Sequence, residues 1–136
     1  MLPSLHDDFL ISYEVNCEIR QIKLHAKRDP RVLAGNEERT NHTIVFNAVE
    51  GYQFENDNFG NIIFSLDAVP IERILDMYGS RIAEAYRMAG APNSWAADLA
   101  SAPQVLAAKG AQGFILSSSY GLSGWILAGE VSVEPC

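Results

Sequence analysis

The chain has 136 residues, 48% of them hydrophobic, and its 10 Lys and Arg against 17 Asp and Glu give a formal net charge of −7. This length and apolar content predict a single domain over residues 1–136 with a core of its own. The acidity argues against a nucleic-acid binder and against a protein that docks on anionic membranes, because both depend on a positive electrostatic field.

The N-terminus lacks the basic and apolar segments of a secretion signal, and no apolar run approaches the length of a membrane span. We therefore expect a cytoplasmic protein. In that reducing compartment Cys17 and Cys136 are expected to be free thiols. Residues 1–9 are expected to form a loosely held arm.

Alternating apolar and polar residues predict a half-buried strand over residues 11–20, with Cys17 inside it. At Gln21 and Ile22 the alternation changes parity, which fits either a β-bulge or a short break between two strands. Basic side chains concentrate here, and they fit either an anion-binding patch or a charged edge strand. They are Arg20, Lys23, His25, Lys27, Arg28 and Arg31. A long loop is expected to begin at Asp29.

The region from Thr43 to Ala89 is expected to organise the fold. Thr43–Val49 and Asn61–Leu66 alternate as strands, and Glu50–Asn61 between them reads as an acidic turn region. The alternation also continues past Val49, so the first strand can extend to about Glu55 with a bulge or bend at Gly51.

Apolar residues at helical spacing predict a long amphipathic helix over residues 71–89. Pro70 would open it, Asp67 could cap its start, and Gly90 would end it. Gly79 lies in the middle, where it would either split the helix or let a neighbouring segment approach closely.

Two shorter helices are expected next. Asn93 or Ser94 would cap the first, which runs to about Ala100, and the second would restart at residues 101–103, run to Lys109 and end at Gly110. Trp95 would anchor these helices in the core, or alternatively lie exposed at an interface.

Residues 113–119 and 124–133 are expected to form a closing hairpin, with one parity from Trp125 to Val133 facing the core. Together these elements predict an α+β fold. We expect an antiparallel sheet of about five strands, in the order β-β-β-α-α-β-β, with helices packed on one face.

Motifs that carry chemistry are missing. There is no Walker A or Gly-x-Gly-x-x-Gly pattern, and Tyr120–Gly124 does not match a nucleophile elbow. Glu55, Asp57 and Gly60 are spaced like the start of a calcium loop, but the later positions cannot supply ligands. Three histidines lack zinc-site spacing: His6, His25 and His42. The sequence therefore predicts no metal and no cofactor, and it identifies no catalytic residue.

One stretch resembles a known group of proteins. Ile44-Val45-Phe46, Val49 to Asp57 and Asn61 to Phe64 together resemble a segment of small, stand-alone bacterial α+β proteins of unassigned function. Some of those proteins resemble immunity proteins of bacterial toxin systems. The matching segment contains no catalytic motif, so the resemblance implies no functional residue.

Two functions follow as hypotheses. The first is a protein-interaction module, in particular an immunity-type inhibitor, with contacts from Glu55, Asp57, Phe59 and Trp95; its partner would be another protein, and a homo-oligomer stays open.

The second is a small-ligand binder or an enzyme whose site is assembled from distant residues beneath the helices. His25, His42, Tyr52 or the serines at 117–119 would line that site. A pocket with converging polar groups would favour the second hypothesis, and a flat, packed sheet face would argue against it.

Overall fold

The structure is a computed structural model and describes residues 2–28 and 41–135. These ranges form an α+β fold with an antiparallel sheet, as predicted, but they contain six strands and not five. The elements are β1 Phe9–Asn16, β2 Gln21–Lys27, β3 Asn41–Glu55, β4 Ile62–Val69, α1 Ile71–Ala89, a 3₁₀ helix Ser94–Ala97, α2 Ala102–Ala108, β5 Gln112–Tyr120 and β6 Ser123–Pro135.

The six strands close into an antiparallel barrel in the order β1-β2-β3-β6-β5-β4. Closure between β1 and β4 depends on one register pair, Phe9 opposite Ile62. Two backbone hydrogen bonds flank that pair: Leu10 donates to Asn61 at 3.1 Å, and Ile63 donates to Asp8 at 2.9 Å. The sheet therefore has an inside and an outside, joined by a short seam.

The sixth strand comes from the region where the alternation changes parity. Asn16 ends β1, and its Oδ1 accepts hydrogen bonds from the backbone N–H groups of Glu18 and Ile19 at 3.1 and 3.3 Å. The chain then reverses through Arg20, whose φ is +51°. The break between two strands is thus the correct alternative, and Cys17 lies in an exposed turn, not inside a strand.

Strand β2 is paired on both sides, with β1 and with β3. The interpretation of its basic residues as an edge strand is therefore wrong. Arg28 at its end forms an ion pair with the fully buried Asp8, with 2.8 Å between Nε and Oδ1. Arg31 and the loop expected after Asp29 lie outside the described residues.

The N-terminal residues are held more firmly than expected. Leu5 is only 2% exposed and belongs to the core inside the barrel. Asp7 donates its backbone N–H to the carbonyl of Ile63 at 2.9 Å. Burial of one apolar side chain and a few backbone bonds are enough to hold this short segment against β4.

Strand β3 extends to Glu55, and its register against β6 shifts between Val49 and Gly51, which confirms the predicted bulge. Its first half pairs with β2 only as far as Phe46. Beyond that point, among the described residues, β3 has a strand neighbour only in β6. This one-sided half of β3 forms one wall of the site described below.

Helix α1 is continuous, so Gly79 does not split it. A Cβ at Gly79 would lie 3.6 Å from Cδ1 of Leu99, an ordinary van der Waals contact, so the alternative of an unusually close neighbour is not supported either. Gly90 ends the helix in the left-handed conformation with φ +69°, as predicted. The predicted cap is wrong, because Asp67 lies within β4 and Pro70 occupies the N-cap position.

The segment after α1 is less helical than expected. Asn93 caps it by accepting a hydrogen bond from the backbone of Ser94 at 2.8 Å, but the 3₁₀ helix ends at Ala97 and not near Ala100. No helix within residues 2–28 and 41–135 is long and apolar enough to cross a membrane.

Buried residues form two apolar clusters. The first lies inside the barrel and draws on all six strands, with Phe46 and Phe114 in edge-to-face contact at 5.1 Å. The second contains residues from the helices and from β5 and β6; its members include Ile74, Ile82, Trp95, Leu106, Ile115, Trp125 and Leu127. Strand β6 contributes to both clusters, so its core residues do not share the single parity that we expected.

Candidate functional site

A cleft of about 560 Å³ lies between the β1–β2 turn, the one-sided half of β3, the second half of α1 and residues 91–93. We call it the α1–β3 cleft. Its apolar lining is Val15, Ile22, Val49, Gly51, Phe54, Ile82, Ala85, Ala91, Pro92 and Trp125. Its polar lining is Asn16, Cys17, Arg20, Gln21, Glu50, Tyr52, Gln53, Arg81 and Asn93. This volume and this mixture are typical of small-molecule sites.

The β1–β2 turn and the β3 bulge are fixed to each other at the cleft. The backbone N–H of Val49 donates to the carbonyl of Arg20 at 3.1 Å. Arg20 has a φ of +51° and Ala48 a φ of +53°, the left-handed region that costs a non-glycine residue about 1–2 kcal/mol. Two such residues on either side of one hydrogen bond hold the turn and the bulge in a defined position, and strain of this kind is concentrated at functional sites.

The wall formed by residues 91–95 packs closely on the bulge. A Cβ at Gly51 would lie 2.8 Å from Cβ of Pro92 and 3.2 Å from Cζ2 of Trp95. The indole of Trp95 donates its N–H to the carbonyl of Glu50 at 3.0 Å. Only glycine permits this approach, so the wall and the bulge form one packed unit.

Charged side chains at the cleft differ in how fully they are engaged. Glu50 accepts hydrogen bonds from Lys109 Nζ at 3.2 Å and from Asn93 Nδ2 at 3.3 Å. Arg81 makes a two-point contact with the carboxylate of Glu55 at 2.9 and 3.0 Å. Among the described residues, the side chain of Arg20 has one polar contact, an ion pair with Glu50 at 3.7 Å. Arg20 is therefore the least engaged cation of the cleft.

Trp125 contributes a buried donor to the cleft wall. Its side chain is 1% exposed, and its ring lies 6.4 Å from that of Tyr78 between centroids. Its Nε1 finds no hydrogen-bond partner within the described part of the chain. A buried indole N–H usually has a partner, and leaving one unpaired costs about 1–3 kcal/mol.

The pKa of the Tyr78 phenol is raised, first by burial and then by the negative charge of Glu55, with Arg81 acting in the opposite direction. Tyr78 therefore remains a neutral phenol at physiological pH. Its ring packs near that of Trp125 and brings no negative charge to this region.

The β3–β4 turn, residues 56–61, forms a second surface feature. Phe59 at its tip is 97% exposed with φ +69°. Asp57 accepts a hydrogen bond from the Tyr13 hydroxyl at 2.7 Å. Hydrogen bonds from the Phe59 backbone, then from Asn61 and Tyr13, lower the pKa of Asp57. The bond to Asp57, followed by burial, raises the pKa of Tyr13.

The residues named from the sequence fall into different places. Tyr52 lines the α1–β3 cleft, but neither His25 nor His42 does. His25 lies opposite Thr43, the neighbour of His42 on β3, so the two imidazoles lie on opposite faces of the sheet. The serines at 117–119 are on β5 and do not line the cleft.

The residues that the sequence suggested for contacts with a partner protein also lie in different surroundings. Glu55 is tied to Arg81, Asp57 to Tyr13, and Phe59 projects freely. Trp95 is 4% exposed, so it takes the anchoring place and not an external interface.

Sequence reasoning missed most of the cleft. Arg20 was singled out only as one of six basic residues, and Glu50, Arg81 and Trp125 were assigned no functional role. Their spacing along the chain carries no signal, because the cleft joins segments from four parts of the fold.

Across residues 2–28 and 41–135, no three His, Cys, Asp or Glu side chains lie close enough to hold a metal ion. Comparison of the sequence with protein-family models gives no match. Comparisons with curated proteins and with solved structures also give no match. The function must therefore be argued from the site itself.

Proposed function

We propose that this chain is a binding protein for a small organic ligand, which it holds in the α1–β3 cleft. One observation carries the proposal: a cleft of about 560 Å³, the size of a small-molecule site, is lined by apolar side chains and by polar side chains that converge on it. No catalytic step is part of the proposal.

The apolar surface of the cleft supports the same conclusion. Val49, Ile82 and Ala85 line the cleft together with Trp125 and would contact the body of the ligand. We also propose that the helices pack over one side of the sheet, as expected from the sequence. The support for this placement is the apolar cluster that α1 shares with Ile115 and Leu127.

A pair of matched substitutions on α1 tests the proposal. Ala85 lines the cleft, whereas Ala83 is exposed on the same helix and does not. The neutral fluorescent probe N-phenyl-1-naphthylamine is expected to bind the wild type and Ala83→Phe equally. Ala85→Phe should weaken binding by about tenfold or more, because the added ring occupies apolar volume that the probe needs.

Fluorescence titration of the three proteins measures these affinities, and thermal unfolding checks that each is folded. The proposal fails if the wild type binds neither this probe nor its sulfonated analogue 8-anilinonaphthalene-1-sulfonate, or if Ala85→Phe and Ala83→Phe bind the probe alike.

A second candidate is the immunity-type inhibitor, a protein that binds another protein. The observation in its favour is the 97% exposed Phe59 at the tip of an acidic turn, since large exposed aromatic side chains are enriched at interfaces. Its test is calorimetric titration against the product of the adjacent gene. Binding that Phe59→Ala weakens by about tenfold or more would support this candidate, and the absence of binding would count against it.

A further inference from the structure

We infer that the ligand of the α1–β3 cleft is an anion: an apolar molecule that carries a carboxylate or a chemically similar acidic group, which Arg20 recognises. This inference rests on the proposed function. It concerns the polar end of the ligand, whereas the proposed function concerns only the presence of a bound molecule.

The local charge of the cleft favours an anionic ligand. The whole chain has a net charge of −7, yet the charged lining of the cleft consists of Arg20, Arg81 and Glu50. Arg81 is paired with Glu55, and Glu50 with Lys109, so with these two partners included three cations stand against two anions and an excess of one positive charge remains. A concave site concentrates such a field, so an anionic ligand is favoured here although the rest of the protein repels it.

The charged side chains of the cleft also differ in how far each is already paired with another side chain. Arg81 is held by both oxygens of Glu55. Glu50 is engaged more closely by Lys109 at 3.2 Å than by Arg20 at 3.7 Å. The Arg20 guanidinium therefore has most of its N–H donors available to an incoming acid, and its planar fork matches the two oxygens of a carboxylate.

The backbone of Arg20 is held in a defined position at the cleft. Its carbonyl accepts the hydrogen bond from Val49, and its left-handed φ is maintained by a turn that Asn16 closes. A charged side chain that starts from a fixed backbone loses less freedom on binding than one on a mobile loop. A residue held in a strained conformation at the edge of a cleft fits a binding role.

The acidic and apolar ends of the ligand would lie at different places in the cleft. Its acidic group would contact Arg20 beside the β1–β2 turn, where the guanidinium is partly exposed. Its apolar body would lie against Ile82 and Trp125, which line the cleft.

The test uses two probes with the same ring skeleton. 8-Anilinonaphthalene-1-sulfonate carries an acidic group, and N-phenyl-1-naphthylamine does not; the fluorescence of both rises in apolar surroundings. The wild type is expected to bind the sulfonate about fivefold more tightly than the neutral probe, the size of one partly exposed ion pair. Raising the salt to about 0.5 M should remove most of that advantage.

Arg20→Gln is expected to weaken binding of the sulfonate about fivefold and to leave binding of the neutral probe unchanged. The control is Arg73→Gln, which removes the same charge from an exposed position on α1 outside the cleft. It should change neither affinity. Ala85→Phe should weaken both probes if both occupy this cleft.

The outcomes separate the two proposals. If the neutral probe binds in the cleft but the sulfonate gains nothing, or Arg20→Gln and Arg73→Gln behave alike, the anionic ligand is overturned and the proposed function stands. If neither probe binds, both fail. If the sulfonate binds and Ala85→Phe does not affect it, the probe lies elsewhere and the inference is overturned.

Discussion

Replacement of Gly124 by alanine is expected to lower the free energy of unfolding by about 3 kcal/mol. Gly124 lies near the start of β6, opposite Phe54 on β3 and Leu116 on β5. An added Cβ would overlap the carbonyl oxygen of Gln53 and lie 2.9 Å from its carbonyl carbon. Because the obstacle is backbone, it cannot move aside without opening the β3–β6 pairing.

Urea unfolding followed by tryptophan fluorescence measures this loss, since both tryptophans, Trp95 and Trp125, are buried. Gly60→Ala is the matched control. A Cβ at Gly60 would find its nearest neighbour at 3.7 Å, so that variant should stay within about 0.5 kcal/mol of the wild type. Equal stabilities for the two variants would mean that β3 and β6 are not in contact at this register.

Asn61→Ala is expected to cost about 2–3 kcal/mol, because it removes a side chain that joins the β3–β4 turn to the turn between β5 and β6. Asn61 is 5% exposed. Its Oδ1 accepts a hydrogen bond from the backbone N–H of Leu122 at 2.8 Å, and its Nδ2 donates to Asp57 at 2.9 Å. After the substitution the N–H of the buried Leu122 has lost its acceptor, and the side-chain link between the two turns is gone.

The same substitution has a pH signature. The pKa of Asp57 is lowered first by the Phe59 backbone N–H and second by Asn61. A lowered pKa means that ionised Asp57 stabilises the fold above its ordinary pKa, and that this contribution disappears as pH falls through the folded-state pKa. The stability deficit of Asn61→Ala should therefore narrow at acid pH.

Chemical unfolding at neutral and acid pH measures both effects. Asn58→Ala is the control within the same turn, because Asn58 is exposed and accepts one hydrogen bond, from the Gly60 backbone at 3.1 Å. It should cost clearly less. A deficit no larger than that of Asn58→Ala, or one that widens as pH falls, would contradict the role assigned to Asn61.

The pattern of apolar and polar residues along the chain was sufficient to predict the local elements of secondary structure. The helical spacing over residues 71–89 places α1, and Gly90 ends it because glycine adopts the left-handed conformation without strain. The bulge at Gly51 was predictable for a related reason, since the alternation continues on both sides of it. In each case the determining interactions lie within a few residues.

The same pattern was insufficient where two structures share one signal. The parity change at Gln21 fits a bulge and a hairpin equally well, and only the pairing of Asn16 with Gln21 distinguishes them. Asp67 is of a residue type that favours helix N-caps, but it lies within β4, where it pairs with Ile115. Long-range pairing outweighs a local preference of about 1 kcal/mol.

The sequence by itself determined the α+β class, the long helix and the turns, because these depend on periodicity and on the backbone preferences of glycine and proline. Only the tertiary structure decided that the strands close into a barrel and that Arg20, Glu50, Arg81 and Trp125 meet in one cleft. Those residues are far apart in the chain, and packing and burial brought them together. No spacing rule encodes such contacts.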